Sequence, residues 1–101
     1  MNNPATPDSA PNVPHIPLGQ VVATPAVLAL LECHNLTPAQ LLGRHATCDW
    51  GDVPPEDAAA NDRAITAGNR VLSAYPVGNE RIWIITEGDR SSTCVLLPSE
   101  Y

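Results

Sequence analysis

The pattern of apolar and polar positions changes period near residue 70, so the chain reads as a helical half followed by a strand-rich half. Residues 18–23 contain Val21 and Val22 and predict either a brief strand or an extended lead-in. Thr24-Pro25 then reads as an N-cap and first helical residue, because the proline lacks an N–H at a position where that N–H has no helical partner. Val27, Leu28, Leu30, Leu31 and Cys33 form a broad apolar face, and Asn35 suits the C-terminal cap. Thr37-Pro38-Ala39-Gln40 repeats the start signal as a capping box, with Leu36 and Leu41 placed as a hydrophobic staple. This second helix is predicted to end at about 45–47, and the short link makes the two helices an antiparallel or angled pair. After a turn over 49–54, a third helix opens at Pro55, with Glu56 and Asp57 in the first turn, where the helix dipole favours negative charge. Its alanines favour helix, Gly68 or Asn69 stops it, and Asn61, Asp62 and Arg63 are expected on its polar side.

Beyond Arg70 the side chains alternate. Val71, Ser73, Tyr75 and Val77 share one face of a strand, Gly78-Asn79 is a turn signal, and residues 81–86 are apolar on both faces, as a central strand is. A second turn over 87–91 leads to a strand over 92–97 that Pro98 ends. The predicted fold class is therefore α+β: three helices packed on one face of a three-stranded antiparallel β-meander. The domain is expected over 18–101. Residues 1–17, with five prolines and few large aliphatics, read as a disordered Pro-rich arm, and without a basic start or apolar run they do not read as a signal peptide.

Charge narrows the function classes. Eleven acids stand against five basic residues, all arginine, for a formal charge of −6. That balance disfavours direct contact with nucleic-acid phosphates, which relies on clustered cations, and suits a basic protein surface as partner. A fold of this size is only modestly stable, which makes a homodimer a natural supplement. No apolar run is long enough for a membrane span, and three cysteines without a secretory signal predict reduced thiols in a cytoplasm. Cys33-His34 and His45-x-x-Cys48 offer four zinc-ligand types, but neither pair has the usual spacing, and neighbouring helical side chains diverge by about 100°. No metal or cofactor is expected.

The candidate site is the run between Cys48 and Arg63, which carries Asp49, Asp52, Glu56, Asp57 and Asp62 with no base among them. Trp50 within it suits either a lid on the core or an exposed binding anchor, whereas Trp83 in the central strand is expected in the core. Arg63, Asp89 and Arg90 complete the set of candidate binding residues. A hydrolytic alternative is also written in the residues. His45 beside Asp49, Asp52 and Glu87 has the composition of a general base with divalent-metal ligands, although no nucleophile elbow, phosphate loop or His-Glu-x-x-His motif accompanies it.

His45, Asp49-Trp50-Gly51-Asp52, Glu56-Asp57, Asn61-Asp62-Arg63-Ala64, Leu72-Ser73-Ala74-Tyr75, Ile82 through Glu87, Asp89-Arg90-Ser91 and the ending Leu96 to Tyr101 together resemble a group of small bacterial proteins. These are labelled plasmid- or phage-related and are sometimes tagged as accessory to type I restriction systems. The resemblance covers 18–101 and implies a mobile-element setting without implying a particular chemistry. The expectation is a small acidic interaction protein, without catalysis of its own, that inhibits a nucleic-acid-binding host defence enzyme by electrostatic competition.

Overall fold

The computed structural model describes residues 15–101. The predicted arm lies outside the described residues except for its last three, and Ile16 among these is buried, so packing begins two residues before the expected start at Leu18. The elements in order are β1 (Gln20–Ala23), α1 (Pro25–Cys33), α2 (Pro38–Ala46), α3 (Pro55–Ala67), β2 (Val71–Val77), β3 (Glu80–Thr86) and β4 (Ser92–Leu96), followed by a short 3-10 turn at Pro98–Glu100.

The fold is α+β, with the expected meander enlarged by one strand. The sheet has four strands in the order β1-β4-β3-β2, and β1 runs parallel to β4, so the sheet is mixed rather than a three-stranded antiparallel meander. A parallel neighbour needs a long crossover, and the three helices with the β2–β3 hairpin supply it. β1 escaped firm prediction because four residues with two valines carry too little alternation to separate a strand from a lead-in.

One face of the sheet holds the core. Register aligns Tyr75 with Ile82 and Ile84 with Val95, and these meet Val27 and Leu31 of α1 and Leu41 of α2 in one buried cluster. A second cluster joins Ile16, Trp50, Ala64 of α3 and Val71. All three helices place their buried apolar residues on this face. Burying an aliphatic side chain of this kind is worth roughly 1.5–3 kcal/mol. On the opposite face Trp83 is half-buried rather than enclosed in the core, and its ring meets Tyr101 edge-on with centroids 5.8 Å apart.

The caps follow sequence chemistry with one departure. Thr24 Oγ1 accepts from the Val27 N–H at 3.3 Å, as an N-cap does. At α2, Gln40 Oε1 takes the Thr37 N–H at 2.7 Å, but the Thr37 hydroxyl turns to the same oxygen instead of capping the helix, so only half of the box forms. α3 stops at Gly68, whose φ of 75° is the left-handed cap that glycine adopts without strain. No helix among the described residues is long and apolar enough to cross a membrane.

Candidate functional site

The acidic segment is mounted along the free edge of β2. The Asp52 N–H donates to the Ala74 C=O at 2.7 Å, and the Ala74 N–H donates to the Trp50 C=O at 3.0 Å. Further along, Asn61 grips β2 with its side chain: Nδ2 donates to the Leu72 C=O at 2.8 Å and Oδ1 accepts the Leu72 N–H at 3.2 Å. Asn61 is thus buried against the strand, not on the polar face of α3 as its neighbours predicted. The carboxamide reproduces the donor and acceptor of a peptide unit, which sequence periodicity alone does not reveal.

Along this edge the carboxylates divide into two kinds. Asp49 is paired with Arg44 at 2.7 Å and Asp52 with Arg81 at 2.7 Å. The Arg44 hydrogen bond lowers the Asp49 pKa, and the same bond raises that of Arg44. Arg44 also lies over the Tyr75 ring, 4.5 Å from its centroid, while the Tyr75 hydroxyl donates to the Asp49 C=O at 2.6 Å. Burial pushes the Tyr75 pKa up to about 12. Asp62 Oδ1 accepts from Trp50 Nε1 at 2.9 Å. Glu56 and Asp57, exposed in the first turn of α3, have no arginine paired with them among the described residues.

Trp50 is a lid. It is 5% exposed, with its ring edge-on to His45 at 5.8 Å, so the exposed-anchor alternative is excluded. Asp89 and Arg90 do not join the acidic edge. Asp89 Oδ1 accepts the Ser91 N–H at 3.0 Å and shapes the β3–β4 turn, and its pKa is lowered chiefly by the Ser91 side-chain bond. The Arg90 guanidinium donates to the Asn69, Glu87 and Ala64 carbonyls, tying that turn to the end of α3. Arg63 is exposed on α3, and its C=O accepts from the Thr66 hydroxyl.

His45 is fully enclosed, with both ring nitrogens engaged by hydroxyls. Nδ1 lies 2.6 Å from Ser73 Oγ and Nε2 lies 2.8 Å from Thr86 Oγ1. The chain continues from Thr86 Oγ1 to Thr93 Oγ1 at 2.7 Å and from Thr93 Oγ1 to the Leu18 C=O at 2.7 Å. Its direction follows from the far end, because a carbonyl only accepts. Thr93 must donate to Leu18, so Thr86 donates to Thr93, and His45 Nε2–H donates to Thr86. Nδ1 is then the acceptor for the Ser73 hydroxyl. His45 is therefore the neutral Nε2–H tautomer, and burial lowers its pKa from 6.5 to about 4. The alternation of β2, β3 and β4 does place Ser73, Thr86 and Thr93 on the core face, and that inward polar row was the readable signal for this partner set.

This arrangement does not assemble the hydrolytic alternative. His45 spends both nitrogens on hydroxyls, Asp49 and Asp52 face different arginines, and Glu87 pairs with Arg70. Arg81, which holds Asp52, stands near the start of β3, whereas Glu87 follows its end, ~20 Å away at strand rise. The same engagement removes His45 from a shared zinc site with Cys48. Among the described residues no group of three or more histidine, cysteine or acidic side chains is placed to hold a metal ion, and Cys33 and Cys94 are free thiols. Comparison with protein-family models, curated proteins and solved structures returns no match for this chain.

Proposed function

We propose that this chain is a small non-catalytic interaction protein that presents the β2 edge to a basic protein surface, one that otherwise holds nucleic acid. The observation that carries the reading is that Asp49, Asp52, Glu56, Asp57 and Asp62 are all exposed on a segment bonded to β2 through Trp50, Asp52 and Asn61. The two ion pairs do not silence that segment. Both partners of Arg44–Asp49 and Arg81–Asp52 are about half exposed, and pairs of this kind are worth about 0–1 kcal/mol, so an incoming guanidinium can compete for either carboxylate. Carboxylates spaced along an edge then stand in for phosphates, and the resulting field speeds encounter with a cationic surface. In the plasmid or phage setting that the family resemblance implies, the partner class is a host defence enzyme, met in the cytoplasm and inhibited by competition for its nucleic-acid site.

Tagged wild-type chain and the E56Q/D57N variant, each passed through a bacterial lysate, provide the test. The neutralised variant should lose a captured protein that wild type retains, and that protein should bind nucleic acid. Equal capture by both chains would remove the basis for the reading. Neither substitution touches the core, so circular dichroism should report the same fold.

A further inference from the structure

The two edges of the sheet are finished differently. Along β2 every outward-facing position is closed: Leu72 by the Asn61 carboxamide, Ala74 by the backbone of Trp50 and Asp52, and Pro76 by having no N–H to offer. These are the devices by which sheets prevent edge pairing. β1 has none of them. The Gln20 and Thr24 N–H groups donate to the Ser91 and Val95 carbonyls of the neighbouring strand, so alternation turns the peptide groups of Val21 and Ala23 away from it. Among the described residues nothing takes those groups.

The side chains there are as unusual as the backbone. Of the four large apolar residues left exposed among the described residues, Val21 (41%), Val22 (48%) and Leu28 (45%) lie on β1 or on the helix that follows it. Charge singles out the same edge. From 15 to 31 the chain has neither a carboxylate nor an arginine, in a protein of net charge −6. The neighbouring carboxylate, Glu100, is already held by the Thr24 hydroxyl at 2.8 Å and the Leu97 N–H at 2.8 Å. Two copies of so acidic a chain repel through their β2 edges and approach at least cost through β1.

We propose that β1 is the interface for a second copy of this chain, paired antiparallel about a two-fold axis at Val22. The register follows from the free groups. Val21 exchanges both backbone bonds with the partner's Ala23, Ala23 does the same with the partner's Val21, and the two Val22 side chains oppose each other as a non-hydrogen-bonded pair. Such an interface is isologous, as two-fold dimers require. It joins the two sheets into one and leaves the acidic β2 edges at its two far ends, free for other contacts.

Sedimentation equilibrium of the full chain over ~1–100 μM should show a dimer whose fraction rises with concentration. Val22→Arg sets like charges face to face and should return a monomer with an unchanged circular dichroism spectrum. Val22→Cys should form an inter-chain disulfide between the introduced residues under mild oxidation, identified by peptide mass spectrometry. Amide exchange at Val21 and Ala23 should slow as concentration rises. A full chain that stays monomeric throughout overturns the proposal, and so does a dimer indifferent to Val22→Arg. Slow exchange at these amides that does not vary with concentration assigns the edge to the chain's own first fourteen residues and overturns it equally.

Discussion

Thr86→Val isolates the buried hydroxyl chain with little change of shape, because it exchanges one hydroxyl for a methyl. Thr86 accepts from His45 Nε2–H and donates to Thr93 Oγ1, with every side chain in the chain fully enclosed. Valine leaves the imidazole N–H with no acceptor, and Thr93 keeps its bond to Leu18 but loses the proton it received. An enclosed polar group left unpaired costs roughly 1–3 kcal/mol, so the substitution should destabilise the fold by about 2–4 kcal/mol. That is a large part of the ~5–15 kcal/mol of a typical domain and, at ~4–8 °C per kcal/mol for a chain of this size, lowers Tm by roughly 8–32 °C. Urea and thermal unfolding followed by circular dichroism measure it. Ser73→Ala should cost less, since it strands only the Nδ1 lone pair. A Thr86→Val change of less than about 0.5 kcal/mol would refute the hydrogen-bond chain, as would a ring nitrogen NMR spectrum showing the Nδ1–H tautomer.

The same histidine makes stability depend on pH. Its folded pKa of about 4 lies below the unfolded 6.5, so between those values the unfolded state binds more protons. Stability therefore falls as pH drops through that window, by about 3 kcal/mol in all, and His45→Gln should flatten this part of the denaturation profile. Asn61→Ala strips the cover from Leu72. We expect roughly 1–3 kcal/mol of lost stability in urea unfolding, with new aggregation through the bared β2 edge visible by light scattering. Gly51→Ala should be worse tolerated than an ordinary left-handed glycine replacement of ~1–2 kcal/mol. Its φ is 76° and a Cβ there would lie 2.2 Å from the Ala74 carbonyl oxygen, so a Tm shift no larger than that of Gly68→Ala, whose Cβ meets nothing, would contradict the packing of the Trp50–Asp52 segment on β2.

The helices, the hairpin and the turns were legible because each rests on local chemistry: proline at the first helical position, glycine at a left-handed cap, and alternation around Gly78-Asn79. What was not legible depends on pairs distant in sequence. The parallel partnership of β1 and β4 joins residues some seventy positions apart, and no local pattern in Gln20–Ala23 encodes it. The acidic run was visible as composition, but its division into paired and unpaired carboxylates was not. Arg81 reaches Asp52 only because β3 folds back past the turn, and Trp50 is buried because α3 turns Asp62 towards its indole N–H. His45 looked like a possible base beside acids. Those acids turn outward, and the Ser73 and Thr86 hydroxyls, which share a face only once the sheet has formed, take both of its ring nitrogens instead.

Heparin elution of a protein captured from bacterial lysate on the immobilised wild-type chain tests the acidic-edge account most directly. Heparin is a polyanion, so it competes for a basic surface and leaves apolar contacts untouched. The account predicts that heparin releases the captured protein, that moderate salt weakens the complex, and that a column of the E56Q/D57N variant retains little of it. A complex that withstands heparin and forms equally well on the neutralised chain would contradict the account.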